Sequence, residues 1–589
     1  MEKVVKSFAK SFARDGTMTV KAVLADGRSY YLHSSYNPGQ EARDWVASID
    51  LQPYTAYMVL GLGLGYHVRE LLKVLPPESY IFVVEHSRGE STLPFIEKNM
   101  PRYDWLADPR VILLCGPDLV VLAANITGLM RQFKIRRVTV CNHAPTRQLY
   151  PDFFQLAETE LVAKMEEIFI LNLQFDSKTN GIYINNAWKN LPHLLTNPGM
   201  RPLKDKFKGM PAIVVSAGPS LNKNIEQLKA YRDKALILAS GTALGALRKH
   251  GIVPHFLGVA DYSEKMYTAL HSDFRPDTAL LALHVIHPDI MAEYPGNIFT
   301  IYHPTQNVLG PLSTHLPPND EMMTSVSVAT TVFNFADYAG CDPIIFLGQD
   351  LAFTATATHA DGVRTSELLD REDDYYKLVK GQNGQVLKTS YGFSQVLDYF
   401  VTRIARMKQT VVNATEGGAH IDGAVHMTFR EAADKYLTRT LPIDETIAAA
   451  YASFQQPDLK PILAALDDIA VGARRVKEKM TGEYAELDRP AEELAAESDD
   501  QIRQRISLFW TAYEYVKSQR VYPYISYIVN VLVELHTYDR RTGQLDARGE
   551  YGQCHAIWQA AKAALDDLAA NADAASDALV NRKNQKTDR

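Results

Sequence analysis

The chain reads as a multi-domain α/β protein, and three observations carry that reading. Two separate stretches alternate apolar strand-length runs with helix-length segments, the pattern of parallel strands joined by crossover helices. Each stretch places a glycine turn directly after a buried run, "GLGLG" at 61–65 and "SAGPSL" at 216–221. Beyond about residue 430 the apolar spacing shifts to the helical period. These patterns divide the chain into an N-terminal α/β domain over 1–170, a central doubly wound α/β domain over 171–430, a helical domain over 431–575 and a disordered tail over 576–589. At roughly 100–200 residues per domain, 589 residues suit three or four domains.

In the N-terminal domain, "YMVLGLGLG" is a buried strand running into a turn. "YHVRELLKVL" follows as a helix with Val68, Leu71, Leu72 and Leu75 on one face. "YIFVVEHS", "RVILLCG" and "RRVTVCN" are the later strands. Gly61, Gly63 and Gly65 make a G-x-G-x-G turn, and Glu85 closes the next strand 20 residues after Gly65. Such glycines let the backbone approach a ligand, and an acid at that distance can hold ribose hydroxyls. The arrangement is Rossmann-like, but Tyr66 leaves the dinucleotide fingerprint incomplete. Two readings stand: a turn that serves packing alone, or a nucleoside cofactor site such as a methyltransferase would need.

The Pro/Gly/Lys-rich "LTNPGMRPLKDKFKG" marks the approach to the central strands. These are "AIVVS", "ALILAS", "HFLGVAD", "ALLALHV", "IFTIYH", "PIIFLG" and "TVVNAT". "NKNIEQLKAYRDK", "LGALRKHG" and "VATTVFNFADYAG" are helices between them, the last stopped by Gly340. In open parallel sheets ligands bind outside the carboxyl ends of the strands. Small and polar residues gather at those ends: Gly218, Pro219 and Ser220; Ser240, Gly241 and Thr242; Asp261; Gly348, Gln349 and Asp350; Asn413, Thr415, Glu416 and Gly417. Thr324 and Ser325 stand at a helix start, and His359 follows in "THADG". A helix N-terminus after Gly218 offers backbone N–H groups and partial positive charge to a phosphate. It lacks the lysine of a Walker loop, which argues against that type of ATPase. The pKa of histidine near 6.5 makes His359 the candidate base.

Composition excludes other classes. The chain is 46% hydrophobic and 22% charged with a formal net charge of -7, so it has no general basic field for nucleic acid or anionic lipid. Cys115, Cys141, Cys341 and Cys554 form no C-x-x-C pair, against a local zinc site or a disulfide framework. No metal ligand set is expected, and "REDDYY" reads as a solvated charge run. The N-terminus has no apolar signal core, and no run reaches the roughly 18 apolar residues a spanning helix needs. A cytoplasmic protein is expected. The aromatic "WTAYEYVKSQRVYPYISYIV" in the helical domain reads as core, with docking of a protein partner as the second reading.

The order "SAGPSL … ASGTAL … GVADYS … TSVSVATT … FLGQDLAF … THADG … NATEGGA" resembles the motility accessory factor (Maf) family over about 180–430. The flanking layout fits that family too. The resemblance implies a glycosyltransferase that moves a nonulosonic acid, of pseudaminic or legionaminic type, from a CMP-sugar to Ser/Thr hydroxyls of flagellin, as flagellum assembly and motility require. It implies CMP-nonulosonic acid as donor substrate with no other cofactor and no metal, and flagellin as the protein acceptor.

The same motifs are similar in order to small bacterial sialyltransferases. That similarity implies a CMP-sugar site lined by Gly218, Pro219, Ser220, Ser240, Gly241, Thr242, Thr324, Ser325, Gly348, Asn413, Thr415 and Gly417. It implies a phosphate near the Gly218–Ser220 turn, Asp350 positioning the following loop, His359 as base, and Asp261 or Glu416 facing the cationic sugar. "SAG" and "SGT" depart from the asparagine-containing motifs of those enzymes, and their phosphate-contacting tyrosines have no match. The central domain also resembles an archaeal-type 6-hydroxymethylpterin diphosphokinase. Two alternatives therefore stand beside the transferase: a flagellin-binding chaperone without catalysis, and an ATP-dependent pterin diphosphokinase.

Overall fold

Two units divide the chain, Met1–Phe175 and Asp176–Arg589. The computed structural model describes residues 5–86, 91–100, 105, 108–116, 119–132, 135, 137–302, 308–317, 327–353, 376–541 and 545–587.

The first unit opens with an antiparallel meander, β1 (Val5–Phe12), β2 (Met18–Leu24) and β3 (Ser29–Tyr31). The sequence reading has no strands here, because β1 shows no alternation of buried and exposed residues. It is a strand by virtue of its pairing with β2, whose Val20, Ala22 and Leu24 are buried. The expected strands follow as β4 (Thr55–Leu60), β5 (Tyr80–Glu85), β6 (Val111–Cys115) and β7 (Arg137–Asn142). They form a parallel sheet in the order β6-β5-β4-β7. The chain leaves β4 to one side and returns for β7 on the other, so the Gly61–Gly65 turn sits at the switch point.

The second unit is built on eight strands: β8 (Ala212–Val215), β9 (Leu236–Ser240), β10 (Phe256–Val259), β11 (Ala279–Leu283), β12 (Ile298–Ile301), β13 (Ile344–Leu347), β16 (Val411–Asn413) and β17 (Val425–His426). Between β13 and β16 stands a separate hairpin, β14 (Tyr376–Lys380) and β15 (Val386–Ser390). The large sheet is parallel throughout, in the order β12-β11-β10-β9-β8-β13-β16-β17. Alternate residues feed two cores. Val214 and Leu238 enter one, and Ile213, Val215, Ile237 and Ala239 the other. Both faces are covered, which is why these strands read as unbroken apolar runs. The switch point lies between β8 and β13, at Ser216–Ser220 and Gly348–Asp350.

The boundary expected at 430/431 does not separate compact units. Helices Leu459–Gly482, Asp499–Lys517, Tyr522–Arg541 and Ala547–Thr587 bury Leu466, Phe509, Ile525 and Trp558 in the same core that holds Val214 and Leu238. The tail expected to be disordered over 576–589 is helical to Thr587. Leu579 is fully buried there, and Arg582 donates to Thr196 Oγ1 at 3.0 Å and contacts His193 Nε2 at 2.7 Å. The polar composition of this stretch hides its one anchoring face. Among the aromatic residues of 510–529, Tyr513 and Tyr524 are buried, and Trp510, Tyr515, Tyr522 and Tyr527 pack against the core. Among the described residues no helix is long and apolar enough to cross a membrane.

Candidate functional site

In the first unit the space beside the glycine turn is filled from within. A Cβ on Gly65 would lie 2.1 Å from the Trp105 ring, and one on Gly63 would lie 2.6 Å from His33 Nε2 and 2.7 Å from His143 Cε1. The three glycines are needed for this close packing. His33, His67 and His143 form a buried cluster whose nearest ligand atoms lie within 4.8 Å of one another. Their hydrogen bonds show what they can bind. The Gly61 carbonyl can only accept, so the His67 proton is on Nε2, 3.1 Å away. Leu64 N–H donates to His33 Nε2 at 2.7 Å, which places the His33 proton on Nδ1, facing Glu41. His33 therefore has no lone pair left in its plane. The rings of His67 and His143 stack at 4.2 Å and 3°, so their lone pairs lie in two separate parallel planes, and His143 Nδ1 already meets Thr146 Oγ1 at 2.7 Å. Three converging imidazole lone pairs, which a three-histidine ion site needs, are not presented in this arrangement.

Burial holds all three imidazoles below their ordinary pKa, His67 down to about 3. Burial also pushes the Glu85 carboxyl up to about 7, although Leu62 N–H donates to its Oε1. Its Oε2 is buried without a hydrogen-bond partner. The turn and the acid that suggested a nucleoside cofactor thus form a packed core with one unsatisfied oxygen.

In the second unit the switch point draws three of the predicted segments together. Gly218 N–H donates to Gly348 O at 2.8 Å, and Ser216 Oγ donates to Gln349 Oε1 at 2.6 Å. Gln349 N–H donates to Thr415 Oγ1, and Thr415 N–H to Asn413 Oδ1, both at 3.2 Å. Asp350 lies in the middle, 3% exposed. Its Oδ2 accepts from Ser220 Oγ at 2.7 Å and from Ser220 N–H at 3.2 Å. A Cβ at Gly218 would stand 1.9 Å from that oxygen, so only glycine lets the β8 turn close over it. Ala419 N–H donates to Asp350 O at 2.7 Å and brings Gly417 and Gly418 against the same residue.

One expectation is corrected by these contacts. A phosphate was expected near the Gly218–Ser220 turn, and there the Ser220 N–H and hydroxyl both donate to the Asp350 carboxylate. A carboxylate at the start of helix Leu221–Leu228 satisfies the same orphan N–H groups an anion would. Two polar atoms of this cluster are left unsatisfied: Asp350 Oδ1, a buried acceptor that faces Gly417, and Asn413 Nδ2, a buried donor. Burial raises the Asp350 pKa against the lowering effect of the Ser220 hydrogen bonds.

The remaining predicted residues lie around this cluster or outside the described residues. Glu416 Oε1 accepts from Phe429 N–H at 2.9 Å and from Asn224 Nδ2 at 3.4 Å, which ties the β16 turn to helix Phe429–Tyr436. Lys223 Nζ donates to Glu416 O at 2.6 Å. Ser240 and Thr242 hydroxyls meet at 3.3 Å at the end of β9. Gly241 has no crowding that demands glycine, its nearest Cβ contacts being 3.5 Å or more. Asp261, half-buried at the end of β10, accepts from Ser263 N–H at 2.7 Å. Pro219 lies in the turn between β8 and its helix. Thr324, Ser325 and His359 lie outside the described residues.

Sequence reasoning missed the residues that brace the far half of the rim. Asn186 and Asn190 sit one turn apart on helix Val162–Thr196. Asn186 donates to the carbonyls of Tyr262 and Val285, and Asn190 to those of His284 and Ile286. Tyr183, from the same helix, meets Tyr262 edge-on at 4.7 Å beside Asp261. Two asparagines four residues apart in an apolar helix, "INNAWKN", were the available signal.

Fold and site together define an α/β protein with a buried polar cluster at the switch point of a parallel sheet. Known proteins are similar to parts of the chain. A family model described as 6-hydroxymethylpterin diphosphokinase MptE-like matches residues 185–356. Two proteins of Treponema pallidum (strain Nichols), both described as uncharacterized, are similar. One is 21% identical over 221 residues, 37% of this chain and 38% of that protein. The other is 24% identical over 245 residues, 40% of this chain and 77% of that protein. The chain thus spans well under half the length of the first. A solved structure, that of the MAf glycosyltransferase from Magnetospirillum magneticum AMB-1, aligns with 98% of this chain and 95% of its own at 14% identity and a TM-score of 0.48.

Proposed function

We propose that the second unit transfers a sugar from a nucleotide-activated donor. The donor in this reading is a CMP-linked nonulosonic acid of pseudaminic or legionaminic type, and the acceptor a Ser/Thr hydroxyl of flagellin, for flagellum assembly and motility. The motif order supports it, as does the gathering of three of those motifs at one switch point. The observation that carries it is Asp350. A buried carboxylate at the helix start repels a triphosphate and attracts hydroxyls. A CMP-sugar has one phosphate and many hydroxyls, whereas ATP reverses that balance.

The donor lies along the strand ends, with a hydroxyl on Asp350 Oδ1 and Asn413 at the same crevice. Its phosphate faces the hydroxyls of Ser240 and Thr242 and the helix start carrying Thr324 and Ser325. Asp261 faces the sugar as positive charge develops on it, and Glu416 holds the β16 turn in place. His359 takes the proton from the attacking hydroxyl, a role worth roughly 10²–10⁴ in rate. The leaving phosphate gains charge as the bond to the anomeric carbon breaks, and the hydroxyl donors answer that charge.

A thermal-shift panel of CMP, CMP-sugars, ATP and adenosyl-methionine tests the donor. CMP is expected to raise the midpoint and ATP to leave it unchanged, and Asp350→Ala is expected to remove the CMP response. The MptE-like match supports a second reading, diphosphoryl transfer from ATP to a hydroxymethylpterin. Stabilisation by ATP and not CMP would select it. Co-expression with flagellin and the sugar pathway, followed by intact mass, tests the acceptor. His359→Ala should abolish the added mass while the CMP response stays. Unmodified flagellin bound by wild-type protein would select the chaperone.

A further inference from the structure

At the switch point of the second unit a cation and an acid face the same place without pairing. Lys223 stands in the first turn of helix Leu221–Leu228, with its side chain exposed. The positive end of a helix dipole disfavours a cation there and favours an acid. Asp350 already supplies the acid at this helix start, whereas nothing local favours the lysine. Lys223 Nζ donates to Glu416 O at 2.6 Å. That carbonyl carries no net charge and takes one of the three ammonium protons. The Glu416 carboxylate is turned away, with its Oε1 on Phe429 N–H and Asn224 Nδ2. Among the described residues Lys223 thus forms this one hydrogen bond and no ion pair.

Asp350 is the opposite case. It is buried, and its Oδ1 accepts no hydrogen bond. Gly417 lies between the two groups. A Cβ on Gly417 would stand 3.4 Å from Asp350 Oδ1, 3.7 Å from Lys223 Nζ and 3.2 Å from Ser220 Cβ. An acceptor short of a donor and a cation short of an anion therefore border one position at the β16 turn. Leaving a buried acceptor unsatisfied costs about 1–3 kcal/mol, which a ligand hydroxyl would recover. The same turn holds Glu416 in the left-handed region at φ 57°. Backbone strain of this kind in a residue other than glycine concentrates at ligand clamps.

We infer that Lys223 is the specificity-determining cation of the donor site: it receives an oxyanion of the nucleotide-sugar while Asp350 Oδ1 receives a neighbouring hydroxyl. The inference rests on the transferase reading above. A CMP-nonulosonate carries two oxyanions, its phosphate and the carboxylate of the sugar acid, and both are matched by an ammonium. One cation beside one buried carboxylate suits a ligand that sets a single negative charge next to hydroxyls, and does not suit a bare polyphosphate. The donor takes the place of the Glu416 carbonyl on Lys223, which frees the turn that covers Asp350 Oδ1. A neutral acceptor is thereby exchanged for a charged one, and charge-assisted hydrogen bonds are the stronger.

Lys223→Gln, Lys223→Arg and, as a charge control elsewhere in the unit, Lys249→Gln test the inference. Each is titrated calorimetrically with cytidine, CMP and CMP-legionaminic acid, and its urea midpoint is measured without ligand. Lys223→Gln should bind cytidine as wild type does and lose about tenfold or more in affinity for a charged ligand, the usual cost of a lost hydrogen bond to a charged group. A loss already present with CMP assigns the cation to the phosphate. A loss confined to CMP-legionaminic acid assigns it to the sugar carboxylate. Lys223→Arg should recover most of the affinity, and Lys249→Gln should match wild type. Wild-type affinities for all three ligands in Lys223→Gln would overturn the inference and leave the transferase standing. So would an equal loss for all three with a lowered urea midpoint, the mark of a loosened turn. Wild-type protein that binds neither CMP nor CMP-legionaminic acid would overturn the transferase reading and the inference with it.

Discussion

Asp350 does what a bound anion does at many helix starts, and it does so with a side chain of the same molecule. That substitution explains why Gly218 tolerates no side chain while Gly241, in a similar turn one strand away, does. Gly218→Ala would push a methyl to 1.9 Å from Asp350 Oδ2 and 2.5 Å from Gly348 O. It should cost about 2 kcal/mol or more, because both neighbours are held by hydrogen bonds. Gly241→Ala meets only ordinary contacts and should stay within about 0.5 kcal/mol of wild type. Urea denaturation of the two variants decides it, and equal midpoints would refute the close-approach argument. That glycines mark these turns was legible in the sequence. That a carboxylate fills the expected phosphate seat was not, since Ser220 and Asp350 stand 130 residues apart.

Among the elements, helix Phe429–Tyr436 shows how the rim is held from behind. Thr428 and Glu431 form a reciprocal capping box at its start, and Glu416 reaches the same turn from the β16 end. Thr428→Ala should destabilise the second unit by about 1 kcal/mol, the usual worth of such a cap. A shifted urea midpoint with an unchanged CMP response would place the effect in the scaffold; an unchanged midpoint would show that Glu416 alone suffices. The buried parallel strands were legible because both faces are apolar and each run ends in a glycine turn. The meander β1–β3 and the hairpin β14–β15 were not. Their residues carry lysines and serines on exposed faces, and partner strands alone make them extended.

Taken whole, the molecule carries a set of buried neutral imidazoles that makes it sensitive to acid. His33, His67 and His143 in the first unit, and His193 and His255 in the second, are all held below their ordinary pKa by burial. A histidine with a lowered folded pKa supports stability above about 6.5 and loses that support as pH falls, because only the unfolded chain takes up the proton. Glu85 has the opposite sign. Its raised pKa favours the fold below about 4.5 and loses that support as pH rises towards 7. In the first unit three imidazoles oppose one carboxyl, so the histidines win. As pH falls below 6.5 its stability should fall, by about 1.4 kcal/mol per pH unit for each imidazole that stays neutral in the fold, less the opposing share of Glu85. Urea midpoints at pH 7.5, 6.5 and 5.5 check the sign. A flat profile would sink the account, and Glu85→Gln should steepen the fall.

Local pattern was enough to announce an α/β chain, its buried strands, the glycine turns after them and most of the residues that rim the central sheet, because burial and turn chemistry act over a few neighbouring residues. Strand order, the Asp350–Ser220 pairing, the imidazole cluster inside the first glycine turn and the merging of the C-terminal helices with the central core came only from the folded chain. Each of these depends on contacts between segments far apart in sequence, and no periodicity within a segment records which distant segment it will meet.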